Sequence, residues 1–457
     1  MHKVLSKYLI TPRILEADKE QVITVEGLDD SNRFIDEVDY IVKITKKDGW
    51  EYKEGAAPLG GNGRNCTEEF KVRSKNGVIK FSYFFGGETE WKINIARADL
   101  SSHLPEKIEK YGWKGFEKLL LEGFFFHCYS LYPDLYKKRV YKGDLHTHSY
   151  GSDGRHSPAM TSAQFRKWGY DFISLTDHYT LKPSFEAIKT LSEIDTAFKV
   201  FPGEEVHPYL NGVMHVVNFN PKSSVNDLAY ADPEKTFSEV KEISKTLEIP
   251  DEEKRIEFAW FKWIYENIKK SGGIAIYSHP YWISRDSYNV NEETSIAICR
   301  EGLTDVFEMY GGAEEKDNCM QANLYYHISK MGYDYPIVGS SDAHDCLEHG
   351  IRHFDNAYTY VFAESADNIP ESILSGYSVA VLNFNPENIN ISGDLRLTKY
   401  AWFLKENYFD PRGDLCNASG QAMLRYVLGD KTQKILIKLL EEEIEKFNIN
   451  FYGNRNF

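Results

Sequence analysis

The stretch Gly143-Asp144-Leu145-His146-Thr147-His148 gives the strongest indication of the fold. In a strand, residues i and i+2 point to the same face, so His146 and His148 direct two imidazoles to one place. Imidazole and carboxylate together suit zinc, manganese or iron, whereas calcium and magnesium prefer oxygen ligands. Four later segments also end a short apolar run in His, Asp or Glu: Leu175-Thr176-Asp177-His178, Pro202-Gly203-Glu204-Glu205, Tyr277-Ser278-His279-Pro280 and Gly339-Ser340-Ser341-Asp342-Ala343-His344. The pattern predicts a hydrolase that binds several metal ions.

From about residue 136, short apolar strands alternate with segments of helical pattern. Helices are predicted over residues 160–169, 255–270 and 314–330. About seven strands with intervening helices predict a barrel-like α/β domain, in which chemistry collects at the carboxyl ends of the strands. The strands are predicted to end at Leu145, Leu175, Phe201, Val217, Ile276, Phe307 and Val338. The His, Asp and Glu residues fall at these ends, as a site there requires.

The two flanks of this region differ from it in pattern. Residues 1–135 are rich in β-forming runs and carry no catalytic constellation, so we predict an accessory β-sandwich domain. Residues 136–385 form the predicted barrel. Residues 386–457 are polar and helical, and the Glu/Lys-rich helix over 435–447 is predicted to pack or to contact a second copy in a homo-oligomer.

Composition limits the partners and the compartment. The 457 residues include 54 Lys and Arg against 69 Asp and Glu, a net charge of −15. This acidity argues against an extended nucleic-acid or anionic-membrane surface. No apolar run approaches the ~20 residues of a membrane span. Six scattered cysteines without a CxxC pair predict a reduced, cytoplasmic protein.

The order and spacing of these segments resemble the PHP (polymerase and histidinol phosphatase) family of metal-dependent phosphoesterases. The resemblance covers residues 140–385 and is strongest to stand-alone members with an N-terminal β domain, including the carbaryl-hydrolase-like branch. Those members begin the barrel with a run similar to Tyr141–His148. The resemblance implies a distorted seven-stranded, TIM-like α/β barrel, (β/α)7, that holds two or three divalent ions of zinc, manganese or iron.

The resemblance also implies three sets of metal ligands, with Glu205 bridging the first and second ions. Glu204 is its rival for that role, and His156 is the rival of Asp153. Asp144 and Asp177 are expected to orient ligating imidazoles, and His207 is expected to be structural. The implied sets are His146, His148, Glu205 and Asp342 for the first ion, Glu205, His215 and His279 for the second, and Asp153, His178 and His344 for the third.

The implied reaction is hydrolysis of a small phosphorylated substrate by a metal-bound hydroxide at a di- or trinuclear site. Its catalytic residues would be His146, His148, Glu205, His279, Asp342 and His344. Arg155 and Arg352 are predicted phosphate contacts, and Tyr281 and Trp282 are candidates to line the substrate entrance. Two alternatives stay open. The same cluster could hydrolyse a carboxylester, carbamate or amide, or the chain could be a non-catalytic binding or regulatory module.

Overall fold

The computed structural model describes residues 7–48, 67–101, 123–207, 214–284, 286–312, 314–347, 355–384 and 388–455. Within these ranges the chain is a mixed α/β protein. It forms two compact units, of which the first comprises Met1–Lys138, Trp402–Arg412 and Glu443–Phe457 and the second Arg139–Ala401 and Gly413–Glu442. The C-terminal helices are thus divided between both units. The predicted domain boundaries at residues 135 and 385 stay predictions.

The first unit contains two sheets with one shared core. Its described strands are β1 Tyr8–Thr11, β2 Ile14–Glu16, β3 Lys19–Gly27, β4 Asp39–Lys46, β5 Thr67–Arg73, β6 Val78–Phe85, β7 Thr89–Arg97 and β8 Phe124–Leu131. The sheet orders are β1-β3-β6 and β2-β8-β7-β4-β5. Ile23 and Phe81 of the first sheet and Val42 and Ile93 of the second belong to one hydrophobic cluster. Alternate residues of each strand therefore face this core, as the period of two in a strand requires.

The strands of the second unit form two larger sheets and a short hairpin. They are β9 Arg139–Thr147, β10 Phe172–Leu175, β11 Lys199–Phe201, β12 Gly203–Val206, β13 Val216–Phe219, β14 Ile274–Tyr277, β15 Ile283–Ser284, β16 Ser287–Tyr288, β17 Val306–Tyr310, β18 Ile337–Gly339, β19 Ala357–Ala363, β20 Ser378–Leu382 and β21 Asn390–Ser392. The sheet orders are β11-β10-β9-β19-β20-β21 and β12-β13-β14-β17-β18, with β15 and β16 as the hairpin.

The pairing of these strands is only partly parallel. Strands β9, β10 and β11 are parallel, as are β14, β17 and β18. In contrast, β13 is antiparallel to both β12 and β14, and β19 is antiparallel to β9 and β20. The regular alternation predicted from the sequence is therefore interrupted at β13 and at β19. The prediction did not include strands β12, β19 and β20.

Both faces of the larger sheets are covered, which explains the apolar character of their strands. On β14, Ile274 and Ile276 join a cluster with Leu145, Val306 and Val361 from both sheets. The alternate residues, such as Ala275 and Tyr277, join a second cluster that includes helical side chains. The sheets thus enclose an apolar interior along a curled surface.

Local sequence explains where several helices begin and end. In helix α7 (Glu252–Ser271), Asp251 caps the first turn by accepting a hydrogen bond from the Lys254 amide, and Gly272 ends the helix at φ +76°.

None of the helices in the described residues has the length and apolar character of a membrane span. The helices are α1 Ala98–Ser101, α2 Pro133–Tyr136, α3 Pro158–Lys167, α4 Lys182–Leu191, α5 Val225–Ala231, α6 Pro233–Lys245, α7 Glu252–Ser271, α8 Glu292–Arg300, α9 Glu315–Lys330, α10 Ile369–Leu374, α11 Leu395–Leu404, α12 Asp410–Val427 and α13 Gln433–Tyr452.

Candidate metal centre

Two isolated backbone pairings bring the predicted segments together at the strand ends. Thr147 at the end of β9 pairs in parallel with Ala343, and His178 pairs in parallel with Glu205. The first pairing is closed by a hydrogen bond of 2.8 Å from the His148 amide to the Ala343 carbonyl. Segments that lie far apart in sequence therefore present their side chains to one place.

The carboxylate of Glu205 lies at the middle of this place and is fully buried. Its Oε2 atom lies 3.2 Å from His146 Nε2, 3.4 Å from His148 Nε2 and 3.1 Å from His178 Nδ1. Its Oε1 atom lies 2.5 Å from His215 Nδ1 and 3.4 Å from His279 Nε2. The residue predicted to bridge two ions thus faces five imidazoles.

Asp342 adds a second carboxylate on the side of the first two imidazoles. Its Oδ1 atom lies 3.0 Å from His148 Nε2 and 3.4 Å from His146 Nε2. Together with Glu205, these residues form a group whose ligand atoms all lie within 4.8 Å of one another. This group has the same members as the first implied ligand set.

Asp153 and His344 lie at the more exposed edge of the cluster. Asp153 Oδ2 is 3.2 Å from His344 Nε2 and 3.7 Å from His178 Nε2, and its Oδ1 is 3.7 Å from His148 Nδ1. The side chain of Asp153 is 55% exposed and that of His344 24%, whereas His148 is fully buried. His178 and His148 therefore each stand between this edge and Glu205, with one ring nitrogen towards each.

The cluster is suited to metal ions because many of its imidazole nitrogens and one carboxylate oxygen have no hydrogen-bond partner in the protein. Such buried atoms are rare in folded proteins and costly to leave unpaired. The affected atoms in the cluster are His146 Nε2, His148 Nε2, His178 Nδ1, His215 Nε2, His279 Nε2 and Glu205 Oε2. A set of imidazole and carboxylate donors of this kind matches zinc, manganese or iron.

The electrostatics of the cluster favour positive charge at its centre. Burial lowers the pKa of His148, but the adjacent carboxylates of Asp342 and Glu205 outweigh it and raise the pKa to about 10. Burial also raises the pKa of Glu205, yet the charges of His215, His178 and His146 hold it well below its ordinary value. Divalent cations would supply this charge directly.

Two of the predicted ligands adopt a backbone conformation that residues other than glycine rarely adopt. His279 has φ +26° and Asp342 has φ +51°, in the region that is uncommon for residues other than glycine. Backbone strain of this kind clusters at functional sites, where the surrounding structure holds it in place.

The rival residues lie outside the cluster in hydrogen-bond networks of their own. Glu204 accepts hydrogen bonds from Asn218 Nδ2 at 2.9 Å and from the Val225 amide at 2.6 Å. It therefore links β12 to β13 and to the start of α5. His156 Nε2 lies 3.0 Å from Asp345 Oδ1. The structure therefore places Glu205 and Asp153 in the cluster rather than these two alternatives.

Asp144 and Asp177 hold backbone segments, whereas the sequence predicted that they orient imidazoles. Asp144 accepts hydrogen bonds of 3.1 Å from the His146 and Ser341 amides. Asp177 accepts from the amide and hydroxyl of Ser149 at 2.8 and 2.7 Å. Asp144 thus fixes the main chain at His146, a predicted ligand, and Asp177 fixes it at Ser149, the residue after His148.

Sequence reasoning missed Glu308, which contacts a ligand imidazole. This residue lies within β17, is fully buried, and places Oε2 3.3 Å from His146 Nδ1. The available signal was a carboxylate directly after the apolar pair Val306-Phe307, the same pattern that marked the other segments.

His207, predicted to be structural, lies beside the cluster. Its ring centroid is 4.5 Å from that of His215 and 5.3 Å from that of His178, and it stacks on Tyr179 at 5.1 Å. The signal was its position two residues after Glu205, which gives both side chains the same face of an extended chain.

One of the four predicted substrate contacts lies next to the cluster, and two others contact different partners. The Trp282 ring lies 5.4 Å from that of His215, next to the cluster, whereas Tyr281 packs on Tyr288 at 5.0 Å. Arg155 Nη1 donates to Asp345 Oδ2 at 2.9 Å. Arg352 lies outside the described residues.

No protein-family model and no curated protein match this chain. Solved structures to which it is similar include proteins described as PHP-like. One is a two-domain protein from Bacteroides vulgatus that contains a predicted PHP-like metal-dependent phosphoesterase, with 19% identity and a TM-score of 0.38 over 53% of this chain and 65% of that chain. A second, from Bifidobacterium adolescentis, is provisionally described as a metal-dependent phosphoesterase, with 16% identity and a TM-score of 0.36 over 51% and 96%.

A third similar structure is an amidohydrolase from Chromobacterium violaceum with bound sulfate and no metal. Its identity is 17% and its TM-score 0.31, over 44% of this chain and 87% of that chain. Because identities are below 20% and TM-scores below 0.5, these similarities do not assign a reaction to this chain.

Proposed function

We propose that this chain is a metal-dependent hydrolase, and specifically a phosphoesterase acting on a small phosphorylated molecule. The observation that carries this proposal is the buried Glu205 carboxylate facing five imidazoles at 2.5–3.4 Å. A structural core would pair such groups with hydrogen-bond partners, whereas these converge with donor atoms left over.

The ligands proposed for two or three divalent ions are His146, His148, Asp153, His178, Glu205, His215, His279, Asp342 and His344. When bound, such ions lower the pKa of water towards ~7 and stabilise charge on phosphoryl or carbonyl oxygens. The protein's own part is to hold these donors in fixed positions. Glu205 and Asp342 supply the carboxylates at the buried side, and Asp153 supplies one at the exposed side.

The substrate is proposed to approach from the edge formed by Asp153 and His344. These are the most exposed of the nine residues, and His146 and His148 behind them are fully buried. A small substrate can reach this edge without opening the apolar interior of the sheets. The aromatic rings of Tyr179 and Trp282 flank the cluster beyond His207 and His215.

A second candidate is hydrolysis of a carboxylester, carbamate or amide. One observation favours it: Arg155, the predicted phosphate contact in the described part of the chain, is already paired with Asp345. The aromatic rings of Tyr179 and Trp282 would suit an apolar substrate.

The finer points of the fold are also proposals. We propose that seven strands of the two larger sheets form the barrel of the sequence prediction, because side chains of both sheets share one apolar cluster. These strands are β9, β10, β11, β13, β14, β17 and β18. The two sheets of the first unit are proposed to be the β-sandwich for the same reason. The partner proposed for the protein is a small molecule.

Elemental analysis combined with an activity panel tests this function. The purified chain would be loaded with zinc, manganese or iron in turn and assayed on phosphomonoesters, phosphodiesters, carboxylesters and amides. We expect more than one metal per chain and metal-dependent phosphate release. Asp342→Asn should reduce both, and Glu204→Gln, a buried carboxylate outside the cluster, should retain both. Turnover confined to carboxylesters or amides would support the second candidate, and absence of bound metal would refute both.

A further inference from the structure

The carboxylate of Glu308 serves two hydrogen-bond donors with two different oxygen atoms. Its Oε2 lies 3.3 Å from His146 Nδ1, and its Oε1 accepts a hydrogen bond of 3.1 Å from the His279 amide. His146 and His279 both face Glu205 through Nε2. One buried side chain thus contacts two segments that carry proposed metal ligands.

The local structure leaves space for this carboxylate and fixes its backbone. Glu308 is central in β17, a strand that is buried throughout. A Cβ atom at Gly311 would lie 2.7 Å from Glu308 Oε1, so glycine at that position leaves the oxygen free to accept its hydrogen bond. Gln321 Nε2 donates to the Glu308 carbonyl, which further anchors the residue.

Charge and hydrogen bonding together indicate what Glu308 does. Among the described residues its ion-pair partner is His146, and no lysine or arginine there forms an ion pair with it. A neutral imidazole carries its proton on one nitrogen only, and a hydrogen bond at that nitrogen fixes the tautomer. A carboxylate at Nδ1 holds the proton there. The lone pair of Nε2, on the side of Glu205, then stays available to a metal ion.

We propose that Glu308 is a positioning residue that sets the Nδ1–H tautomer and the ring orientation of His146 for metal binding. The proposal rests on the metal centre of the proposed function. It adds a residue outside the three ligand sets that the sequence implied. Carboxylates that hydrogen-bond metal-ligating histidines in this way affect metal affinity by about 10–100-fold.

The amide of glutamine cannot replace this carboxylate. If its oxygen accepts from the His279 amide, its NH₂ group faces His146 Nδ1 and forces the proton onto Nε2, the metal-facing nitrogen. If the amide is turned over, its NH₂ group opposes the His279 N–H. Either orientation of Glu308→Gln is therefore unfavourable, although the shape of the side chain is unchanged.

The test measures metal affinity of the full chain with zinc alone, in competition with a chelating indicator. We expect Glu308→Gln to weaken the tightest site by about 10–100-fold. Glu308→Asp should also weaken it, since the shorter side chain cannot reach both donors. Glu204→Gln is the matched control, a fully buried carboxylate that contacts no imidazole of the cluster, and it should bind like the wild type.

A second measurement separates positioning from a purely structural role. Nitrogen chemical shifts of ¹⁵N-histidine in the zinc-loaded wild type should place the His146 proton on Nδ1, and the resonance is assigned by its loss in His146→Gln. In Glu308→Gln the Nδ1–H signal should be lost, with the thermal unfolding of the metal-free protein showing that the variant is folded. Should that variant not fold, the same two readouts on Glu308→Asp and on the wild type decide.

The outcomes distinguish the two proposals. Unchanged zinc affinity in Glu308→Gln, or a wild-type His146 proton on Nε2, overturns the role of Glu308 and leaves the metal centre standing. A wild-type chain that binds no zinc, manganese or iron overturns both.

Discussion

The two units bury charged groups in contrasting ways. In the first unit, the guanidinium of Arg13 donates to the His127 carbonyl at 2.7 and 2.9 Å, to the Asn407 carbonyl at 3.2 Å and to Asn407 Oδ1 at 2.5 Å. It also lies over the rings of Phe403 and Phe451, 5.9 and 5.4 Å from their centroids. In the second unit, Glu205 faces five imidazoles, and the Nε2 atoms of His146, His148 and His279 have no hydrogen bond. A buried charge that the protein satisfies is structural, and converging buried groups that it leaves unsatisfied indicate a ligand.

The largest effect is expected at Glu205, the buried charge of the proposed metal centre. Glu205→Gln removes the charge that faces five imidazoles, so we expect metal affinity and activity to fall by more than about 100-fold. Glu204→Gln should instead lower the free energy of unfolding and leave metal affinity unchanged. Metal titration and urea denaturation of both variants measure this. Retained metal in Glu205→Gln would sink the assignment of the bridging residue.

Glu441, in the same unit as Glu205, is a largely buried charge that the protein pairs fully, and its contribution to stability depends on pH. Glu441 accepts hydrogen bonds from Arg166, Ser419 and the Ala197 amide. Burial raises its pKa, but the Arg166 charge and these hydrogen bonds outweigh burial and lower it. Its ionised form therefore contributes stability above the ordinary glutamate pKa of ~4.3, and this contribution is lost as pH falls through the lowered value.

Glu441→Gln should lower the free energy of unfolding by about 3 kcal/mol at pH 7, because the buried Arg166 loses the charge of Glu441 at 2.8 Å and keeps Asp171 at 3.4 Å. The difference from the wild type should shrink as the pH is lowered below ~4. Urea denaturation at several pH values measures it. A difference that stays constant with pH would contradict the ion-pair explanation, and metal content should stay unchanged.

Arg13→Met tests the structural side of the contrast. Methionine keeps an apolar chain of similar length and leaves the carbonyls of His127 and Asn407 without their donor. We expect a loss of about 2 kcal/mol in the free energy of unfolding. Metal affinity and kcat should be those of the wild type. A loss of metal equal to that in Glu205→Gln would remove the distinction between the two kinds of buried charge.

The smallest effect is expected at Arg155. Its side chain is 67% exposed and pairs with Asp345, and exposed ion pairs contribute less than about 1 kcal/mol. Arg155→Ala should therefore leave the free energy of unfolding nearly unchanged and raise KM for a phosphomonoester by less than about fivefold. A tenfold or larger rise in KM, with kcat unchanged, would instead show that Arg155 leaves Asp345 to bind the substrate.

The sequence predicted the parts of the site that depend on local spacing. The pairs His146/His148 and Asp342/His344 follow from the period of two in an extended chain, and their strand ends follow from the apolar runs before them. The helix over Glu252–Ser271 was predicted as 255–270, and its end was predicted to within one residue because Gly272 and Gly273 are a local signal.

The remaining features depend on contacts between distant parts of the chain. Asn407 meets Arg13 across 394 positions, and Glu308 meets His146 across 162. The antiparallel pairing of β9 with β19 likewise joins distant segments. An alternating pattern within one strand does not state which strand lies beside it, so the sequence alone could not predict these contacts.

Strand β12 has a consequence for how this protein tolerates insertions and deletions. In its register with β13, Glu204 lies opposite Asn218 and Glu205 opposite Val217. Because neighbouring residues of a strand face opposite sides, a slip of one residue would put Glu204 in the place of Glu205 and Gly203 in the place of Glu204. The imidazoles would then still face a carboxylate, but the amide donors of Asn218 and Val225 would lose theirs. A slip in the other direction would put Val206 in the place of Glu205. Single-residue length changes here would therefore remove the carboxylate from one side of the strand, and the identity of the residue that faces the imidazoles is a property of register.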